Sequence, residues 1–187
     1  MEEIIKSRCF RFLIFAFIIS IIIGYLGATE ESAKSFIQSF MESKEFLFKD
    51  NGQISPLALF KNNVLASLFM FLGGLIPFLF LPFIFLLVNG HIIGLALKYS
   101  AIKGASPFKV FVFGILPHGV FELTAIFLSV TMGIYLCFHL SKKILKKEYL
   151  PIKTLFKKYL MIFLTKVVPL LVLAAFAEVY LTPMLLQ

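Results

Sequence analysis

Charge is what this chain has least of: 15% of its 187 residues are Asp, Glu, Lys or Arg, and the acids number only 10. A soluble domain of this size carries about 25% charge and at most about half apolar residues. Here 60% are apolar and the mean hydropathy is +0.96. That much apolar surface does not fit inside one core, which excludes a water-soluble enzyme. Cysteine is almost missing as well. Cys9 and Cys137 each adjoin basic residues at the end of an apolar run, so there is no disulfide framework. Also absent are a Gly-rich phosphate loop, a His-Glu-x-x-His pair and a nucleophile elbow, and with them the commonest nucleotide, zinc-protease and esterase chemistries.

What the chain does have is long apolar runs. A bilayer core of about 30 Å at 1.5 Å per residue takes about 20 residues per span, which leaves room for four to six helices and no large extramembrane domain. The first run, about residues 10–28, follows Lys6, Arg8 and Arg11 without a small-x-small cleavage site, so it reads as a retained span with the N-terminus inside. Residues 64–97 carry no charge except the potential one on His91, and Gly73-Gly74, Pro77 and Pro82 interrupt them. One helix of that length would be about 51 Å long, so a hairpin of two spans, about 62–77 and 79–97, is expected. Residues 108–140 form a fourth span. Its interruptions at Gly114 and Pro117-His118-Gly119 also allow a short half-helix before a full crossing. The fifth span is expected at 160–181.

Charge placement sets the orientation. Lys142, Lys143, Lys146, Lys147, Lys153, Lys157 and Lys158 face only Glu148 in the segment 141–158, the pattern of a cytoplasmic loop against anionic lipid. That places the +8 net charge against lipid and argues against nucleic acid as partner. Both lysine-flanked ends lie inside only if an even number of crossings separates them, so one long run is a hairpin and the other a single span. Either way there are five spans and the C-terminus is outside. A hairpin at 64–97, the preferred arrangement, puts Lys98, Lys103 and Lys109 outside, and a hairpin at 107–140 would put them inside at the cost of one bent helix over 34 residues. In the outer segment 29–61, Thr29 can cap a helix with Glu30 and Glu31 in its first turn and Ala33, Phe36, Ile37 and Phe40 along one face. An amphipathic helix on the outer surface and a solvated connector both fit. Asp50-Asn51-Gly52 reads as a turn, and Ser55-Pro56 as the start of the next helix. The fold class is therefore all-α: a polytopic helical bundle in the cell membrane, with broken helices and one extracytoplasmic amphipathic segment.

Ionisable residues inside spans are expensive and mark function by default. The candidates are His91, His118, Glu122, Lys166 and Glu178, with Asn62, Asn63 and Asn89 as amides. His118 and Glu122 are four apart and share a helix face. They could form half of a site for zinc or another divalent metal, with Glu178, His91 and Asn63 as further donors. They could equally hydrogen-bond one another and the backbone groups freed at Pro117. Lys166 lies about 18 Å along the helix from Glu178, so it should snorkel to the interface and not pair with that acid. His139, beside Ser141 and Lys142, belongs to the same interface. Gly90-x-x-x-Gly94 permits close helix approach, and a homodimer through the glycine-rich faces is compatible with the sequence.

These elements resemble the stage II sporulation protein M family of polytopic membrane proteins. The resemblance rests on Lys61-Asn62-Asn63 before a run with Gly73, on Asn89-Gly90 with Gly94, on Ile115-Leu116-Pro117-His118-Gly119-Val120-Phe121-Glu122, and on Ala174-Ala175-Phe176-Ala177-Glu178 with Thr182-Pro183. It covers the chain from about residue 55 to the end. It implies five spans with the N-terminus inside. It also implies that Asn63, Asn89, His118, Glu122 and Glu178 meet within the bundle. The family's namesake is a membrane anchor that scaffolds secreted cell-wall hydrolases, so the resemblance implies a non-enzymatic scaffold with other envelope or membrane proteins as partners. Two other readings stand beside it: a small-ion or solute transporter using the polar cluster at a broken helix, and an intramembrane metal-dependent hydrolase with His118 as ligand and Glu122 as ligand or base.

Overall fold

The computed structural model describes residues 2–48, 53–146 and 151–185. The Asp50-Asn51-Gly52 turn, Lys147 and Glu148 lie outside them. Among the described residues regular structure is helical, apart from one isolated bridge between Phe48 and Ile54. Six helices carry the architecture. They are α1 (Arg8–Gly27), α2 (Glu30–Ser43), α3 (Pro56–Leu72), α4 (Leu81–Ile102), α5 (Pro107–Lys146) and α6 (Ile152–Leu185). All but α2 are long and apolar enough to cross a membrane, and the bundle is that of a multi-pass membrane protein.

Local chemistry sets the boundaries. Ser7, Thr29 and Ser55 each accept a hydrogen bond from a backbone N–H in the first turn of the helix that follows, to Phe10, Ser32 and Ala58 respectively, and so satisfy donors a helix start leaves orphaned. The 34-residue apolar run folds as a hairpin. Gly73–Leu75 makes a tight 3₁₀ turn, and Phe78 and Phe80 then adopt positive φ (68° and 46°) before α4 begins. The turn is tied to α5 by the Phe78 N–H donating to Ser141 Oγ at 2.9 Å and by the Cys137 thiol against Ile76 O at 3.4 Å. At Gly74 the backbones of turn and helix touch, and a Cβ there would overlap the Gly133 carbonyl.

Helix α5 is the axis. Residues 125–133 are buried on every side, as a helix surrounded by apolar neighbours must be. Phe10 and Phe17 of α1 meet Phe127 edge-on, at 5.7 and 5.3 Å between centroids. Phe71 of α3 stacks between Phe156 and Phe163 of α6. Helix α1 lies along α4, where Gly24, Gly90 and Gly94 bring the backbones together and Ser20 Oγ donates to Leu87 O at 2.6 Å. The glycine-rich face considered for self-association is thus covered from within the chain. The outward faces, with Phe12, Phe15, Ile22 and Leu26 more than half or nearly half exposed, are what hydrocarbon would cover.

Two expectations change. First, the chain does not break at Pro117, and α5 runs unbroken for 40 residues. Proline removes one N–H and its ring clashes with the preceding turn. Here the turn before it widens to a π-helix over Val110–Ile115. The same device recurs at Phe163–Val167 before Pro169 and at Ala177–Leu181 before Pro183, so each π segment ends two residues ahead of a proline. Second, 141–158 is mostly not a loop: residues 141–146 continue α5 and 152–158 begin α6. Helix α2 is mostly exposed, with Ala33 its buried residue, and it packs on the end of α4.

Candidate metal centre

Two π-widened, proline-marked segments converge at one level of the bundle. His118 and Glu122 project from one face of α5, one turn apart, just beyond its π segment, and Glu178 sits inside the π segment of α6. One ligand atom of each, an imidazole nitrogen and two carboxylate oxygens, lies within 4.8 Å of the others. His118 Nε2 is 3.9 Å from Glu178 Oε2, and both side chains are mostly buried, at 14% and 24% exposure. π-Turns commonly mark functional sites because they re-aim a side chain that a regular helix would point elsewhere.

A second contact fixes the imidazole. Thr182 Oγ1 is 3.3 Å from His118 Nδ1 and also 3.3 Å from the Ala177 carbonyl. Both contacts are made together when the hydroxyl donates to the carbonyl and accepts from Nδ1–H, and with that tautomer the Nε2 lone pair would be open to an ion held with the carboxylates. It is the arrangement by which an outer partner sets the tautomer of a metal-binding histidine. Zinc ligands at about 2.0–2.2 Å in a tetrahedron stand about 3.4 Å apart, so the observed spacing needs only a small closing motion around an ion.

The cluster faces a cavity of about 480 Å³. Asn62, Asn63 and Asn89 line it together with His118, Glu122 and Glu178, and Lys44 stands in its wall from the end of α2. Lys44 Nζ donates to Asn62 Oδ1 at 2.8 Å, and Asn62 Nδ2 donates to Asn63 Oδ1 at 3.0 Å. The Lys44 ammonium also rests 5.7 Å from the ring centres of Phe40 and Phe46. A smaller cavity of about 200 Å³ shares Asn89, His118 and Glu122 as its wall, and the Asn89 amide donates to Phe85 O at 2.8 Å.

Of the residues singled out in sequence, Asn63, Asn89, His118, Glu122 and Glu178 come together around the cavity. His91 does not: it is exposed, with its backbone carbonyl against Gly24 of α1. Asn89 and His91 are two apart, about 200° around a helix, so both cannot face one site. Lys166 is exposed, and the ion pair Glu178 makes among the described residues is to His118. His139 Nδ1 lies 2.7 Å from Tyr135 O within its own helix. Cys9 and Cys137 are free thiols. Lys44, the Asn62 relay and the part played by Thr182 were not foreseen. The signal for Thr182 was its position four residues after Glu178 and next to Pro183, while Lys44 stands 18 residues from Asn62 with no periodic relation to it.

No solved structure matches the chain at a significant level. An uncharacterized protein of Methanocaldococcus jannaschii is 34% identical over 122 residues, which is 65% of this chain and 67% of that relative. The family described as Stage II sporulation protein M matches residues 13–183, a stretch that starts inside α1, crosses every membrane-length helix and includes each residue of the cavity cluster. The chain therefore belongs to the Stage II sporulation protein M family.

Proposed function

We propose that this chain is a non-enzymatic scaffold of the cell membrane in which one divalent cation, zinc being the best match to the donors, ties α5 to α6. The observation that carries the reading is the approach of His118, Glu122 and Glu178, from two helices, to within 4.8 Å. Two carboxylates this close in an apolar bundle repel, and a divalent ion neutralises both while taking the free Nε2 lone pair. Were Glu122 and Glu178 both ligands, no carboxylate would remain among the cavity residues to serve as a base, which disfavours hydrolysis. Of the two breaks on which a transporter reading would rely, the one at Pro117 is a continuous helix and the one at 73–82 is the turn of a hairpin, which disfavours that reading.

The lysines at the α5 and α6 junction support a cytoplasmic placement of that end, by the positive-inside rule. Both the N-terminus and this junction then lie inside, with α2, the cavity mouth and the C-terminus outside. Helix α2, acidic at its start and held at one edge of the bundle, is the surface offered to envelope or membrane partners. The test is thermal unfolding of the protein in detergent. Chelation should lower the midpoint of the wild type, zinc should restore it, and Glu178→Gln should respond to neither. A wild type indifferent to both treatments overturns the metal, and zinc uptake into proteoliposomes above protein-free vesicles would favour transport instead.

A further inference from the structure

Three protein ligands leave a tetrahedral ion one position short. Structural zinc sites close with four protein ligands, whereas sites with three hold water or an exogenous group in the fourth position. Among the described residues no further His, Cys, Asp or Glu joins the group, and all three ligands line the 480 Å³ cavity. We infer that this cavity takes an oxyanion, a carboxylate or phosphate carried on an apolar body, which completes the coordination of the ion and is also held by Lys44. The inference rests on the metal reading and adds to it the chemical class of the ligand.

Charge is the first argument. Lys44, Glu122 and Glu178 are the ionisable lining residues other than histidine, and both carboxylates are charged when they bind an ion. With a divalent ion in place the cavity holds one positive charge in excess, inside an apolar bundle where an uncompensated charge is costly. A bound anion removes it. The second argument is donor direction. Lysine only donates, so Asn62 must offer it the amide oxygen, Asn62 must then donate to the oxygen of Asn63, and Asn63 is left with its NH₂ as donor. Asn63 is 7% exposed. The relay therefore offers donors to the same cavity that the carboxylates line: an ammonium with two further protons and an amide NH₂. A cation or a neutral apolar guest would use none of them.

The third argument is size. A carboxylate or phosphate group fills only a small part of 480 Å³, since a water molecule's share of the liquid is about 30 Å³. The remaining wall on the α2 side is apolar, with Phe40, Met41, Leu47, Phe48 and Ile54. A lipid-like or fatty anion fits both parts, and a free inorganic anion fits only the first.

The experiment loads the full chain, in a non-ionic detergent, with cobalt, whose visible band reports its inner ligands. Inorganic phosphate, octanoate and octyl phosphate are then titrated in. Octanoate or octyl phosphate should change the band saturably and at lower concentration than inorganic phosphate. Lys44→Met should keep the anion-free band and lose about tenfold in anion affinity, the scale of one charge-assisted hydrogen bond. Lys34→Met, on the same helix but away from this cavity, should lose nothing. A cobalt-loaded protein whose band ignores all three anions overturns the inference and leaves the metal reading standing, whereas no cobalt band at all overturns both. Inorganic phosphate binding as tightly as octyl phosphate overturns the apolar body, and an unchanged affinity in Lys44→Met overturns the role of the lysine.

Discussion

Replacing Gly94 by alanine should loosen the bundle where α1 and α4 touch backbone to backbone. A Cβ at Gly94 would press on the Ile21 carbonyl, with Tyr25 N at 2.7 Å and Gly24 C at 2.9 Å. Ordinary carbon contacts lie at about 3.5–4.0 Å, so α1 must retreat by roughly an ångström, and all three opposing atoms belong to backbone that cannot turn aside. A radial gap of that size forfeits a quarter to a half of each dispersion contact along the crossing. In a bilayer, where lipid tails are as apolar as the helices, such close packing is the main attraction between them. Overpacking of this kind costs about 1–3 kcal/mol, against a gain of roughly 0.5–1 kcal/mol from Ala over Gly in a helix. The midpoints of the two ranges leave a net loss of about 1.2 kcal/mol, or roughly 2–5 °C in Tm for a chain of this size. The control is Gly119→Ala. Its Cβ would meet only Ile115 Cγ2 at 3.6 Å and Leu123 Cδ1 at 4.0 Å, so it should be neutral or stabilising. Both are read by thermal unfolding in detergent. A Gly94→Ala protein as stable as wild type, or equal losses in the two variants, would refute the argument from backbone contact.

Ser141→Ala removes the acceptor for Phe78 N–H at a buried site, and an orphaned backbone donor should cost about 1–3 kcal/mol in the same assay. Ser20→Ala removes one interhelical bond to Leu87 O and should cost less, about 0.6 kcal/mol, the average for such bonds between membrane helices. Cys137, which is fully buried, should resist maleimide until the protein unfolds; labelling of the native protein at that residue would contradict its position between α5 and the hairpin turn. Thr182→Val should weaken zinc binding by about 10–100-fold, the usual effect of losing an outer-shell partner, while Thr182→Ser retains it. Equal affinity in the valine variant would show that the hydroxyl does not set the His118 tautomer.

The helices were legible because hydrocarbon admits few alternatives. An uncharged run of 34 residues with Gly73-Gly74 inside it has to turn, and the turn falls there. Thr29 and Ser55 mark helix starts for the reason any side-chain oxygen ahead of an acidic or proline-led turn does. The prolines were harder. Pro117 reads as a break under the rule that proline ends a helix, but a π-turn ahead of it relieves the clash and keeps the helix intact. Whether a chain breaks or widens depends on what packs around it, and that is tertiary information. His91 could have been removed from the cluster by helix arithmetic alone, since Asn89 already claims the opposite face. Lys44 could not have been found, because only folding brings the end of α2 to Asn62. The convergence of Glu178 with His118 and Glu122 likewise needs α5 and α6 side by side, which no spacing in the chain contains.

The central claim, that His118, Glu122 and Glu178 hold one divalent ion, is tested most directly by metal content. Protein purified from cells without added chelator should carry about one zinc or similar divalent ion per chain by elemental analysis, and His118→Ala, Glu122→Gln and Glu178→Gln should each lose it while remaining monodisperse. Wild-type protein that holds no metal even after zinc is supplied, or a His118→Ala variant that retains a full complement, would contradict the account.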